Sequence, residues 1–195
     1  MGTAATVPFF EDVEALAPVT AMTTTANCWT SDPGGATNLY DWNIDGAGST
    51  PSSNTGPLGA YSGTNYFYTE ASYGGVTALA DLYSPVIDLG ATPTAGMELK
   101  FYYHMFGATM GDLYVQLDDG SGWSTLDSLM GQQQTTAQTP WEQRIVDLSS
   151  YSGNVQLRFR ADRGTSFTGD ISLDDIAIEI DTCAYHQVST TTGTS

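Results

Sequence analysis

The stretch Gly169-Asp170-Ile171-Ser172-Leu173-Asp174-Asp175-Ile176-Ala177-Ile178-Glu179-Ile180 decides the fold. Ile171 and Leu173 alternate with polar residues, and the alternation resumes out of step as Ile176, Ile178 and Ile180. Alternation with period 2 is the pattern of a strand with one buried face. Its change of phase predicts a bulge or twist at Asp174-Asp175, which turns one of the two carboxylates away from water. A buried carboxylate requires a partner. With only five Lys plus Arg in 195 residues, a metal ion is one such partner.

The same alternation recurs along the chain in short runs bounded by Gly, Pro, Asn and Ser, while nothing reaches three turns of helical spacing. It predicts strands at 9–11, 66–72, 78–83, 86–89, 98–106, 113–118, 141–148 and 155–161. Asp119-Gly120 is a hairpin signal between the sixth of these and Trp123. Within 98–106, Leu99, Phe101, Tyr103 and Met105 share one face, and Lys100, Tyr102 and His104 the other. Residues 28–64 are expected to be one long irregular region, a length of loop that usually serves function or is tied to a metal. Two packed antiparallel sheets of the jelly-roll kind, an all-β sandwich, account for this pattern. Such a topology brings the chain ends together and makes Glu11 a neighbour of Asp175.

Asp plus Glu total 22 and the formal net charge is -17, which disfavours partnership with nucleic acid or an anionic membrane. That acidity suits a secreted or calcium-binding protein. No run approaches the roughly 20 apolar residues of a membrane span. The expected organisation is a leader over 1–8, one domain over 9–185 and a Ser/Thr-rich linker over 186–195, in a module of a longer polypeptide. Cys28 and Cys183 either close one long loop, worth about 4–5 kcal/mol in the chain-entropy model, or are two unrelated buried thiols.

The order Phe10-Glu11, Asp41-Trp42, Thr55-Gly56-Pro57, Tyr68-Thr69-Glu70-Ala71-Ser72, Ala80-Asp81-Leu82-Tyr83-Ser84-Pro85, Leu99 to Gly107, Met110-Gly111-Asp112-Leu113, Trp141, Arg163-Gly164 and the opening stretch, with Cys183 closing it, resembles the MAM domain. The resemblance covers roughly 9–183. It implies a jelly-roll β-sandwich in a secreted or cell-surface protein, acting without catalysis in adhesion, oligomerisation or recognition; bacterial versions sit beside catalytic domains of secreted hydrolases. The family usually carries four cysteines in two bridges, and here the positions near Pro8 and near 97–99 are not Cys, so its connectivity does not carry over. Its Asp-His-Thr motif after Gly-Pro is replaced near Leu58-Gly59-Ala60-Tyr61, which removes the surface contact made through that motif.

Three kinds of site are weighed. Calcium takes six to eight oxygens, and Glu11 and Asp175 are the first choice of ligands, with Asp174, Asp12 and Asp45 behind them; the alternative has Glu11 and Asp175 solvated, or satisfied by backbone N–H groups and Arg163. A glycan site needs aromatic faces beside planar polar groups. For it the outward residues Tyr102, His104, Tyr114, Gln116, Arg158 and Arg160 are expected side by side, with Trp29 and Trp123 as loop aromatics; the alternative is a protein partner, with the aromatics serving as strand filler. Catalysis is not expected, and the one constellation considered is a polysaccharide-lyase set of Tyr102, His104 and Arg158.

Overall fold

The computed structural model describes residues 3–32, 40–46 and 48–182. The described residues form thirteen strands and no helix: β1 (Ala5–Thr6), β2 (Phe9–Glu11), β3 (Thr30–Asp32), β4 (Trp42–Gly46), β5 (Asn65–Thr69), β6 (Leu79–Tyr83), β7 (Ile87–Asp88), β8 (Met97–His104), β9 (Leu113–Asp118), β10 (Trp123–Leu129), β11 (Glu142–Asp147), β12 (Asn154–Asp162) and β13 (Ser172–Ile180).

They make two mostly antiparallel sheets. In the first, β10 pairs β9 and β9 pairs β12, whose other edge is shared by β6 and, beyond Ser84-Pro85, by β7. β3 continues past β6, and β1 joins β7 in parallel. In the second, the path is β11-β8-β13-β5-β4, with β2 also pairing β13. The two sheets pack face to face as a jelly-roll sandwich.

The core follows from the alternation. Leu99, Phe101 and Tyr103 of β8 face Val155, Leu157 and Phe159 of β12 across the sandwich, all of them buried. Phe101 and Phe159 meet edge to face, with ring centroids 5.2 Å apart at 76°, a favoured aromatic geometry. At one end two turns cross so closely that a Cβ on Gly111 would run into the Asp162 carbonyl and one on Gly164, at φ +75°, into the Thr109 carbonyl. Only glycine fits that approach.

Two expectations change. Residues 28–64 are not wholly irregular: they contain β3 and β4, and Trp42 and Ile44 of β4 are core residues while Asn43 and Asp45 face outward. Strand β10 also extends from Trp123 through Leu129, beyond the expected hairpin at Asp119-Gly120. The predicted proximity of the chain ends is present, since β2 pairs antiparallel with β13 and Glu11 lies opposite Ile176.

Removing the ring at the centre of the sandwich tests this packing. Phe101→Ala is expected to cost about 3–5 kcal/mol, the usual range for a buried Phe, read from the shift of the urea midpoint.

Candidate functional site

β13 has two partners on one edge because of the carboxylate pair inside it. Ser172 and Leu173 pair with β5, and Ile176 to Ile178 pair with β2. The register against β8 slips between Asp174 and Ala177, and Asp175 sits at φ 46°. This is the bulge that the phase change predicts. Asp174 is fully buried. Its partners are backbone N–H groups: Oδ2 accepts from Tyr61 at 2.9 Å and Ser62 at 3.2 Å, and Oδ1 from Asp175 at 2.8 Å. Burial nevertheless pushes its pKa up to about 7, with the Asp175 charge adding to the rise and the N–H donors opposing it.

Glu11 is buried beside this point and held the same way. Its carboxylate accepts from the Val13 N–H at 2.9 Å, the Trp29 indole N–H at 2.9 Å and the Asn27 amide at 3.2 Å. Asp175 accepts from the Ser62 hydroxyl, Asp12 from the Glu14 N–H, and Asp45 from the Gly46 N–H and the Tyr66 hydroxyl. N–H donors satisfy an anion and contribute no oxygen to a cation. Among the described residues no three of His, Cys, Asp and Glu converge on one point. Glu11 and Asp174 therefore fit an N–H shell better than calcium.

The outward glycan set divides between two faces. Tyr114, Gln116, Arg158, Arg160 and Trp123 lie together on the outer face of the first sheet. There the Arg158 guanidinium stands 4.2 Å from the Trp123 ring centroid and its Nε donates to Gln116 at 2.7 Å. Arg160 makes a bidentate pair with Asp81, both bonds 2.7 Å, and the Tyr114 hydroxyl reaches Asp112 at 3.4 Å. Tyr102 and His104 are on β8, in the other sheet. Tyr102 stacks on Tyr61 at 3.5 Å, and His104 is fully buried against Trp141, its Nε2 3.2 Å from the Thr139 carbonyl. Burial lowers the His104 pKa to about 4.

Strand alternation separates inward from outward but does not say which sheet an outward residue joins, so the side-by-side set is corrected. The lyase constellation is not assembled for the same reason. Trp29 is fully buried and packs on Phe67 at 5.3 Å, which takes it out of any surface site. Cys28 is exposed, and Cys183 lies outside the described residues.

A different part of the second sheet's outer face forms a concave site, built from residues outside the glycan set expected above. Asn43 of β4 lies opposite Tyr68 of β5. With Asp41, Glu70, Pro51 and Tyr73 they line a cleft of about 380 Å³, near the lower end of the roughly 300–1,000 Å³ range of ligand pockets. The segment at 19–22 walls one side, held by the Val19–Ile44 bridge and by the Ala21 N–H on Asn43 Oδ1 at 2.6 Å. Asn43 in turn donates to the Asp41 carbonyl at 2.9 Å. Tyr73 is 53% exposed at the rim. Burial, then the charges of Asp45 and Glu70, raise the Tyr68 pKa and keep its phenol neutral. The available signal was the outward set Tyr66, Tyr68 and Glu70 on one strand, with Asp41 and Asn43 alternating against Trp42 and Ile44 on its neighbour.

Comparison with known proteins matches residues 25–184 to the model of the family described as MAM domain, meprin/A5/mu. MAM domain-containing protein 2 of Mus musculus is 33% identical over 155 residues, 75% of this chain and 21% of that protein. MAM domain-containing glycosylphosphatidylinositol anchor protein 1 of Gallus gallus is 33% identical over 134 residues, 67% of this chain and 14% of its own length. This chain therefore spans about a fifth or less of these curated relatives. Among solved structures, a cleaved adhesin domain of Lys-gingipain from Porphyromonas gingivalis shares the fold at TM-score 0.60 and 21% identity, over 90% of this chain and 99% of that one.

Two measurements test the buried carboxylates. A carboxyl raised to about 7 by folding stabilises the fold below its unfolded pKa and loses that contribution as pH rises through about 7. The destabilisation caused by Asp174→Asn is therefore expected to be larger at pH 4.5 than at pH 7.5 in chemical denaturation. Chelation is expected to leave the melting temperature unchanged, given the N–H shell on Glu11; a drop of several degrees reversed by calcium would establish an ion at Glu11 and Asp175.

Proposed function

This chain belongs to the MAM domain family, and from that premise we propose that it is an extracellular, non-catalytic binding module that recognises carbohydrate. The observation that carries the reading is the cleft between the 19–22 segment and Tyr73. It sets two tyrosine rings beside a buried amide and two carboxylates, the pairing of apolar face and planar polar group that suits a sugar ring and its hydroxyls. The groups that would read hydroxyls are also fixed in place: Asn43 is locked by bonds on both ends of its amide, and Glu70 Oε1 by the Ser72 N–H at 2.9 Å and the Ser52 hydroxyl at 2.8 Å. Such preorganisation lowers the ordering cost of binding.

Placement outside the cell, attachment to further domains and a bacterial host belong to the same proposal. The relatives' names, a glycosylphosphatidylinositol anchor protein and an adhesin domain among them, support the first two.

Affinity electrophoresis through gels containing plant and marine polysaccharides tests the reading. At least one polysaccharide is expected to retard the protein, and Tyr73→Ala is expected to reduce the retardation strongly while leaving the melting temperature nearly unchanged. Mobility unchanged in every gel, with dimers appearing as concentration rises in sedimentation, would replace glycan recognition with protein adhesion.

A further inference from the structure

We propose that the cleft takes a positively charged group, and that its glycan is an amino sugar with a free, protonated amine. The inference rests on the carbohydrate reading and names the chemistry of the sugar.

Charge is the first observation. The lining includes Asp41 and Glu70 and no Lys, Arg or His. Four of the chain's five basic side chains are committed elsewhere: Lys100 to Glu98 and Glu179, Arg144 to Asp127, Arg158 to Gln116 and Asp81, and Arg160 to Asp81. The fifth, Arg163, donates to the Tyr73 backbone carbonyl and does not itself line the cleft. None forms an ion pair with Glu70 among the described residues.

The second observation is independent of the charge count. Glu70 is only 5% exposed, and while Oε1 is bonded to Ser52 and Ser72, Oε2 has no hydrogen-bond partner among the described residues. A buried carboxylate oxygen without a donor is costly, and each native instance calls for a missing partner. An ammonium in the cleft supplies up to three N–H donors and the opposite charge at once. Tyr68 and Tyr73 add the third element, since aromatic faces attract an organic cation through the ring quadrupole. Two tyrosines beside a carboxylate with an unmet acceptor suit an alkylammonium, and among the described residues no three of His, Cys, Asp and Glu converge to hold a bare metal ion. An acetylated amine loses both the charge and two of the donors.

The test uses the full chain and two defined probes in isothermal titration, a glucosamine trisaccharide with free amines and its fully N-acetylated counterpart. The free-amine probe is expected to bind about tenfold or more tightly than the acetylated one, with affinity falling as salt rises. Glu70→Gln keeps the Oε1 acceptor and is expected to remove most of that preference, as is Tyr73→Ala, which changes no charge at all. Asp119→Asn, which removes one exposed charge from the β9–β10 hairpin on the other sheet, is expected to change nothing and separates site binding from general attraction to an acidic protein. Equal or tighter binding of the acetylated probe would overturn the inference and leave the carbohydrate reading standing. Failure of both probes, with binding of a lysine-rich peptide that Glu70→Gln abolishes, would overturn the amino sugar and the carbohydrate reading together and keep only the cation-binding cleft.

Discussion

The structure depends on satisfying buried carboxylates with N–H groups from the protein's own chain. A sequence with 22 acidic and five basic residues cannot neutralise its interior anions by ion pairing, and water is excluded where they sit. Asp174 therefore gathers the N–H groups of Tyr61, Ser62 and Asp175; Glu11 gathers those of Val13, Asn27 and Trp29; and Asp170 takes that of Ala71. The bonds from Tyr61 and Ser62 to Asp174, and those from Val13, Asn27 and Trp29 to Glu11, each tie a loop to a strand. The segment at 48–64, which has little secondary structure of its own, is laid over the outer face of the second sheet by Asp174 at one point, by Trp141 donating to the Gly59 carbonyl at another, and by Thr55 and Gly56 bonding the Phe106 carbonyl at a third.

Seen this way, the bulge in β13 is the joint of the molecule. One extra residue in the strand shifts the pairing edge from β5 to β2, buries one carboxylate of the pair and leaves the other within reach of Ser62. The cost is a non-glycine residue at positive φ, which persists where surrounding contacts over-determine it.

Much of this was legible in the residues because a side-chain period of 2 leaves a visible trace. The slip from Leu173 to Ile176 located the bulge, and the burial of one carboxylate followed from it. The two polar-outside runs of β8 and β12 were equally clear. What the period does not carry is lateral order. Tyr102 and His104 look as outward as Arg158 and Arg160, yet they belong to opposite sheets, and the outward side of β8 is itself covered by the 48–64 loop. The cleft was illegible for the same reason: Asn43 and Tyr68 are 25 positions apart and meet only because β4 pairs β5. β4 escaped notice because it is a five-residue strand set among glycines, prolines and serines.

The four tryptophans are distributed so that the molecule carries its own optical labels. Trp29 and Trp42 are sealed in the core, each with its indole N–H bonded, to Glu11 and to the Ala80 carbonyl, so a dissolved quencher has no path to them while the fold is intact. Trp123 and Trp141 are only partly covered, and they stand on different sheets: Trp123 beneath the Arg158 guanidinium, Trp141 edge-on to Tyr66 at 5.8 Å. A molecule that covers Trp123 or Trp141 thus registers in that chromophore and leaves the other as an internal reference, without any label attached.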